Sequence, residues 1–220
     1  MKTKNEDLNF HIGLWILLII ILAWSGWRPL DRFTWVLEVA PIFIIWAILL
    51  SIYRHFYFSR LVCCLMLVHA AVLAIGGHYT YAEVPVFNWI RDSFHLARNH
   101  YDRLGHLMQG VVPALISREV LLRRGVLKRG PWLNFIVVCI CLAVSATYEL
   151  LEWQAAVWTG AKADAFLGSQ NDPWDTQWDM AMALIGSLAA VFLMPRRHDR
   201  SLISVPGYTV PFLNNKKGTV

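Results

Sequence analysis

Six blocks of apolar residues, each about as long as a membrane-crossing helix, constrain this chain more than any other feature. A helix needs roughly 20 predominantly apolar residues to cross the hydrocarbon layer of a bilayer. Of the 220 residues, 57% are hydrophobic and 16% are charged, whereas soluble domains carry about 25% charged residues. The sequence therefore predicts an all-α fold, a polytopic transmembrane helix bundle of about six spans. The predicted spans are about 10–27, 34–53, 60–81, 101–121, 131–158 and 177–195.

The six blocks are predicted to form one membrane domain over residues 1–198, followed by a loose polar cytoplasmic tail over 199–220. The first block is interpreted as an uncleaved helix rather than a signal peptide. It ends in a Trp-Ser-Gly-Trp-Arg sequence at 24–28, which does not match the small-x-small cleavage pattern. The four cysteines all lie in apolar blocks and form no metal-binding CxxC motif.

Basic residues are shared unevenly between the two sides of the predicted bundle. If the N-terminus faces the cytoplasm, 14 Lys and Arg residues fall on that side and 5 on the other, with Arg103 just inside the fourth helix. Cytoplasmic loops carry such an excess, so we expect a multi-pass protein of the bacterial inner membrane with both termini in the cytoplasm. A re-entrant fourth block would put the basic loop at 123–128 outside, so the charges favour a full span. The basic residues behind the net charge of +5 are then expected to orient the protein and to contact anionic lipid headgroups. Nucleic acid is not an expected partner.

Ionisable side chains gather near the ends of the last four predicted helices. Such groups are costly inside a membrane and mark functional sites when they cluster. In the predicted topology these helix ends all lie on the outer side. The first two helices hold one acid, Glu38, and are expected to be mainly structural. Residues three or four apart share a helix face. The pairs with this spacing are Asp102 with His106, Glu149 with Glu152, and Asp175 with Asp179.

Carboxylates and histidines at these spacings on facing helices commonly build metal sites in helix bundles. An oxygen-rich set with one or two imidazoles suits a divalent ion such as Mg²⁺, Mn²⁺, Fe²⁺ or Zn²⁺, and the residue types do not choose among them. The predicted catalytic residues are Asp102, His106, Glu149, Glu152 and Asp179; the predicted metal ligands are His106, Glu149, Glu152, Asp175 and Asp179; and His78, Tyr79 and Arg103 are predicted to support them.

Structural roles for the same residues stay open at this point. Asp102 and Asp175 each begin a helix, where a negative charge is favourable. The two glutamates of the fifth helix could form a buried ionic lock with Arg103 or Arg91. The crowding of acids beside few basic partners favours shared protons or a bound metal instead. His69 is assigned a structural role in its apolar helix.

Four strings in the sequence resemble the YjdF-type family of bacterial inner-membrane proteins, a domain of unknown function. The resemblance covers nearly the whole chain, and its motifs are long and uncommon. It implies a membrane protein and leaves the activity open. The strings are GGHYTYAEVP (76–85), RNHYDRLGHLMQG (98–110), ATYELLEW (146–153) and ADAFLGSQNDPWDTQWDM (163–180).

A more distant resemblance links three of these elements to the VanZ-like superfamily. The elements are an Asp-x-x-x-His helix start, a Glu-x-x-polar helix end, and a late Asp that opens a Gly-containing final helix. Members are associated with glycopeptide resistance and the cell envelope, without a settled reaction. The sequence departs from that pattern at three positions, with Arg103 for Lys, Glu152 for Gln, and Ala183 near an expected Asn.

Two classes of function follow for the predicted outward-facing site. The first is a metal- or carboxylate-dependent hydrolase or transferase that acts on a lipid-linked envelope molecule. The alternative is a non-catalytic envelope-binding, resistance or proton- and ion-permeation protein. The inner halves of the helices offer few polar residues, such as Gln109 and Ser117, which favours a one-sided site. The lipid bilayer is the expected partner, with a lipid or envelope precursor as the expected ligand, and the oligomeric state is open.

Overall fold

The computed structural model describes residues 4–53, 55–160 and 169–205, and this part of the chain is helical with no strand. The predicted all-α fold class is therefore confirmed. The six long helices begin and end within two residues of the predicted spans, except that the first begins earlier. The helices are α1 (Lys4–Ser25), α2 (Arg32–Ile52), α3 (Arg60–Tyr79), α4 (Pro85–Ser93), α5 (Tyr101–Arg123), α6 (Pro131–Thr159), α7 (Asp175–Leu193) and α8 (Pro195–Ile203).

Six of these helices are long enough to form the predicted membrane bundle. Five of them, α1, α2, α3, α6 and α7, are also apolar enough to cross a membrane by themselves. The sixth, α5, has 23 residues, which at 1.5 Å per residue extend about 34 Å. It packs against α3, α6 and α7, so its polar side chains face protein rather than lipid. Its low hydropathy thus reflects its central position.

The long helices form two layers that meet along α3. In one layer α5, α6 and α7 pack on one another, and α3 joins them through a core that includes Val62, Leu115 and Val137. In the other layer α1 and α2 pack on α3 around residues such as Val39 and Ala74. The layers also meet where the Tyr148 hydroxyl donates a 3.1 Å hydrogen bond to Glu38.

The crossing of α5 and α7 is the tightest contact between two helices in the described structure. At Gly110 a Cβ atom would overlap the carbonyl oxygen of Ala183 and lie 2.8 Å from the Ser187 nitrogen. At Gly186 a Cβ atom would overlap the carbonyl oxygen of Leu107. Small residues allow membrane helices to approach this closely. The two glycines therefore set the distance between α5 and α7.

The end of the bundle where α5 finishes is held by a buried ionic network around Glu119, which sequence reasoning assigned no role. One Glu119 oxygen accepts hydrogen bonds from the Ser59 hydroxyl (2.7 Å) and His198 Nε2 (3.2 Å). The other accepts from the Ser59 backbone N–H and from Arg123, both at 2.8 Å. Arg118 donates to His198 Nδ1 at 2.9 Å. We call these residues the Glu119 network.

Helix α8 extends beyond residue 199, where the polar tail was predicted to begin. It reaches Ile203, and Leu202 within it is fully buried. The Ser201 hydroxyl accepts a 3.1 Å hydrogen bond from the backbone N–H of Leu61. Residues 199–205 are therefore packed against the start of α3. The rest of the predicted tail lies outside the described residues.

Candidate functional site

Four predicted site residues meet where α5 and α7 begin and α6 nears its end. Asp102 and His106 lie one turn apart on the enclosed face of α5, with 8% and 5% of their surfaces exposed. Asp179 on α7 and Glu149 on α6 are 2% and 7% exposed. Because α5 packs between α6 and α7, its enclosed face meets both of these acids. We call these four residues the acidic cluster.

The imidazole of His106 is oriented so that one ring nitrogen faces two carboxylates. Its Nδ1 lies 3.0 Å from Gln109 Oε1. When Nδ1–H donates to that oxygen, Nε2 keeps its lone pair, which is the form that binds metals. Nε2 lies 3.6 Å from Asp102 Oδ1 and 3.7 Å from Glu149 Oε1. These distances are too long for hydrogen bonds, so a gap separates potential ligand atoms.

The spacing of these atoms fits a divalent ion. One ligand atom each from Asp102, His106 and Asp179 can be chosen so that all lie within 4.8 Å of one another. Metal–ligand bonds of about 2.0–2.2 Å put neighbouring ligand atoms roughly 3–4.4 Å apart. Among the described residues, Asp179 Oδ1 and Glu149 Oε1 are buried without a hydrogen-bond partner. Buried polar atoms normally have partners, so both oxygens are free for a ligand.

The other predicted ligands lie beside the acidic cluster rather than in it. Asp175 forms a direct ion pair with Arg98, so its carboxylate already has a cationic partner. Glu152 lines both the cavity below the acidic cluster and a small polar pocket shared with Glu149, Asp172 and Thr176. The structure therefore brings Glu152 next to the acidic cluster, and it turns Asp175 towards a guanidinium.

Two of the predicted supporting residues lie at a different contact. His78 Nδ1 is 2.7 Å from the Ser25 carbonyl oxygen, and its ring stacks on Trp24 at 4.9 Å between centroids. Tyr79 packs beside the same rings. Both residues thus join α3 to the end of α1.

The third supporting residue, Arg103, lies at the rim of the acidic cluster. It donates a 2.8 Å hydrogen bond to Asp172 and lies over the Trp178 ring at 5.0 Å. Asp172 also accepts a hydrogen bond from the backbone N–H of Trp174 at 3.0 Å, as an Asp side chain does in a turn. That bond, together with the charges of Arg103 and Arg98, lowers the pKa of the Asp172 carboxyl. Arg103 and Asp172 hold the loop before α7 against α5.

The expectation that few basic partners stand near the acids was wrong, because Arg98 lies among them. Its side chain is 5% exposed, and it bonds to Asp175, lies 3.4 Å from Asp172 and lies 3.7 Å from Asp102. Burial opposes its charge, but the hydrogen bond and charge of Asp175 outweigh burial and raise the pKa of Arg98. The i, i+4 spacing from Arg98 to Asp102 was the available sequence signal.

The loops that precede α5 and α7 are bonded to each other by the side-chain amide of Gln170, which pairs with the backbone of Asn99. The Asn99 backbone N–H donates to Gln170 Oε1, and Gln170 Nε2 donates to the Asn99 carbonyl, both at 2.9 Å. The Asn99 side chain is also held by the Val84 carbonyl at 3.1 Å. This reciprocal pairing fixes how the first turns of α5 and α7 stand beside each other, and so positions Asp102 relative to Asp179.

Helix α2 contributes to the site region, although the first two helices were expected to be mainly structural. Glu38 is 3% exposed and bonds to the hydroxyls of Tyr148 and Tyr81. It lines the same cavity as Asp102, His106 and Glu152. No sequence spacing relates Glu38 to these residues, because the contact joins the two layers of the bundle.

Replacing Arg98 with lysine is expected to lower the free energy of unfolding by about 1–2 kcal/mol. Lysine keeps the charge but loses the planar fork, whose two terminal nitrogens face Asp175 and Asp102, and a hydrogen bond to a charged group is worth about 1.5–3 kcal/mol. Arg91→Lys, at an exposed pair with Asp92, is the matched control and should change nothing measurable. Unfolding titrations in mixed detergent micelles would compare the two. If Arg98→Lys and Arg91→Lys changed the free energy of unfolding equally, the fork of Arg98 would add no stability.

Comparisons with known proteins agree with the helical membrane bundle. The family model described as "Predicted membrane protein (DUF2238)" matches residues 10–200. The chain is 45% identical over 185 residues to the inner membrane protein YjdF of Escherichia coli (strain K12), which covers 84% of this chain and 88% of that protein. No solved structure matches, and the VanZ-like resemblance stays a prediction. This chain is a multi-pass protein of the inner membrane that belongs to the DUF2238 family of membrane proteins.

Proposed function

We propose that the acidic cluster binds a divalent metal ion and that the protein is a metal-dependent hydrolase or transferase for a lipid-linked envelope molecule. The observation that carries the proposal is the environment of His106 Nε2. This nitrogen faces oxygens of Asp102 and Glu149 at 3.6 and 3.7 Å. The Glu149 oxygen and Asp179 Oδ1 are buried and have no hydrogen-bond partner among the described residues. A cation would satisfy all of these atoms at once, since buried unpaired acids are costly.

The proposed orientation puts the acidic cluster at the outer face of the membrane. The opposite end of the bundle holds the basic α5–α6 turn and the arginines that begin α8. An excess of basic residues on one side favours the cytoplasm for that side. Both termini would then be cytoplasmic, and the acidic cluster would meet molecules of the outer leaflet.

The proposed chemistry is the activation of water by the metal. Asp102, His106 and Asp179 would be ligands, and Glu149 offers a fourth oxygen. A bound divalent ion lowers the pKa of its water and polarises an ester or phosphoryl oxygen. Glu152 stands in the adjacent polar pocket, where it can accept the proton of the attacking water and return it to the leaving group. Gln109 holds the His106 ring in the binding tautomer.

Replacing Asp179 with asparagine is expected to lower metal affinity by at least about 10–100-fold, because even outer-shell changes at metal sites cost that much. The substitution keeps the size of the side chain and removes its charge. Purified protein would be equilibrated with Mn²⁺ or Zn²⁺, desalted, and analysed for metal by mass spectrometry. The wild-type chain should retain metal, and His106→Gln should lose it as Asp179→Asn does.

Asp92→Asn is the matched control for this experiment. Asp92 is exposed in α4 and pairs only with Arg91 among the described residues, so its variant should retain metal like the wild type. A wild-type chain without metal, or an Asp179→Asn chain with unchanged metal, would overturn the metal site. Wild-type protein that binds metal but releases no product from an envelope lipid extract would leave a binding protein and overturn the enzyme.

A further inference from the structure

We propose that the cavity between the two layers of the bundle holds one hydrocarbon chain of a membrane lipid, with the headgroup of that lipid at the acidic cluster. The role of this lipid as a substrate rests on the proposed function. The binding of its chain rests on the cavity alone.

The cavity is long and runs along the helices, as a hydrocarbon chain does in a bilayer. Its volume is about 240 Å³, and it is lined by α1, α2, α3, α5 and α6. On α5 its lining extends from Asp102 to Ile116, a rise of about 21 Å at 1.5 Å per residue. One leaflet of a bilayer contributes about half of the roughly 30 Å hydrocarbon core. The cavity is thus deep enough for a chain that enters from one leaflet.

The lining changes from polar to apolar with distance from the acidic cluster. The polar end holds Glu38, Tyr81, Asp102 and Glu152. Gln109 and His69 lie along the wall, and most of the remaining surface is aliphatic or aromatic. A lipid has the same division between a polar headgroup and an apolar chain. The apolar residues that line the cavity include Leu18, Ile42, Met66, Ala70, Val112 and Ile116.

The cavity opens sideways, towards the lipid. Ile45 on α2 and Val144 on α6 both line it, yet they are 40% and 41% exposed. A residue that lines a cavity and is also exposed marks its mouth. Helices α2 and α6 meet there only through side chains such as Glu38 and Tyr148 among the described residues. A chain can therefore enter from the bilayer between α2 and α6 without crossing water.

A photoactivatable lipid would test this proposal. The protein would be reconstituted in vesicles of phosphatidylethanolamine and phosphatidylglycerol with a trace of phosphatidylglycerol that carries a diazirine in one chain. After illumination, labelled residues would be mapped by mass spectrometry. We expect labels on cavity residues such as Ile42, Ala70 and Val112, which are at most 8% exposed. Labels confined to lipid-facing residues such as Ile44 and Val68 would overturn the proposal.

Two matched variants separate the cavity from the general lipid surface. Val144→Trp narrows the mouth and should reduce cavity labelling severalfold. Val157→Trp makes the same change on the same helix at a position that is 60% exposed and does not line the cavity, and labelling should not change. Both positions are exposed, so both variants should fold. Equal labelling of the two would count against the chain site.

Metal measurements on the same samples distinguish this inference from the proposed function. Val144→Trp leaves the acidic cluster intact, so it should lose the lipid label and keep its metal. Asp179→Asn should lose metal and keep the label in the cavity. Cavity labelling without metal in the wild type would support the chain site and overturn the metal site. Metal without cavity labelling would support the metal site and overturn the chain site.

Discussion

Replacing Gly186 with valine is expected to separate α7 from α5 and to abolish metal retention by the acidic cluster. A Cβ atom at this position overlaps the Leu107 carbonyl oxygen and lies 3.1 Å from the Val111 nitrogen. Because both obstacles are backbone atoms, no side chain can rotate away. Overpacking typically costs 1–3 kcal/mol and occasionally more. We expect a loss of about 3 kcal/mol or more in the free energy of unfolding.

The expected loss of metal follows from the position of Gly186 relative to the proposed ligands. Asp102 and His106 lie on α5, and Asp179 lies on α7 two turns before Gly186. A shift of one helix against the other moves these ligands apart, and catalytic and metal sites tolerate only about 0.5 Å of such error. Metal content and unfolding in mixed detergent micelles would both be measured.

Gly13→Val is the matched control for Gly186→Val. Gly13 also lies within a long helix, and a Cβ atom there meets no atom within 4 Å. This variant should keep both the metal and the stability of the wild type. If the Gly186→Val chain retained as much metal as the Gly13→Val chain, the crossing at Gly110 and Gly186 would not set the geometry of the acidic cluster.

Replacing Glu119 with alanine is expected to lower the free energy of unfolding by about 3–5 kcal/mol, the range observed when one partner of a buried ion pair is removed. Glu119 is fully buried and accepts four hydrogen bonds. Its removal leaves Ser59, Arg123 and His198 without their acceptor. Water cannot replace it at a position with no exposed surface. The change should also release α8, whose His198 is held by Glu119 and Arg118.

Unfolding titrations would measure the loss of stability, and limited trypsin digestion would measure the release of α8. Arg196 and Arg197 are exposed on α8, and a released helix should be cut there faster than in the wild type. Glu83→Ala is the control, because Glu83 is exposed and accepts one 3.0 Å hydrogen bond from Asn88. A Glu119→Ala chain as stable and as resistant to trypsin as the Glu83→Ala chain would rule out a structural role for the Glu119 network.

The two ends of α5 use buried charge in opposite ways. In the Glu119 network the carboxylate of Glu119 is matched by four donors, so the charges hold helices together. In the acidic cluster, Asp179 Oδ1 and Glu149 Oε1 are left without partners among the described residues. Sequence reasoning found the second group because its acids recur at helical spacing. It missed the first, because a single glutamate beside arginines looks the same as an ordinary charged helix end.

The sequence by itself determined the class of fold, the helices and the residues that can share a face. Apolar length and the three- or four-residue spacing are properties of one helix, so they can be read along the chain. The rotation of each helix about its axis and its distance from its neighbours depend on packing between residues far apart in sequence.

Only the tertiary structure could decide how these faces meet. The Gly110–Gly186 crossing brings Asp179 to His106, the pairing of Asn99 with Gln170 sets the loops, and Arg98 pairs with Asp175 beside the acidic cluster. The tertiary structure also brings Glu38 to the cavity from the layer formed by α1 and α2. Side-chain contacts across helices, rather than spacing within them, thus decided which of the predicted acids meet in the acidic cluster.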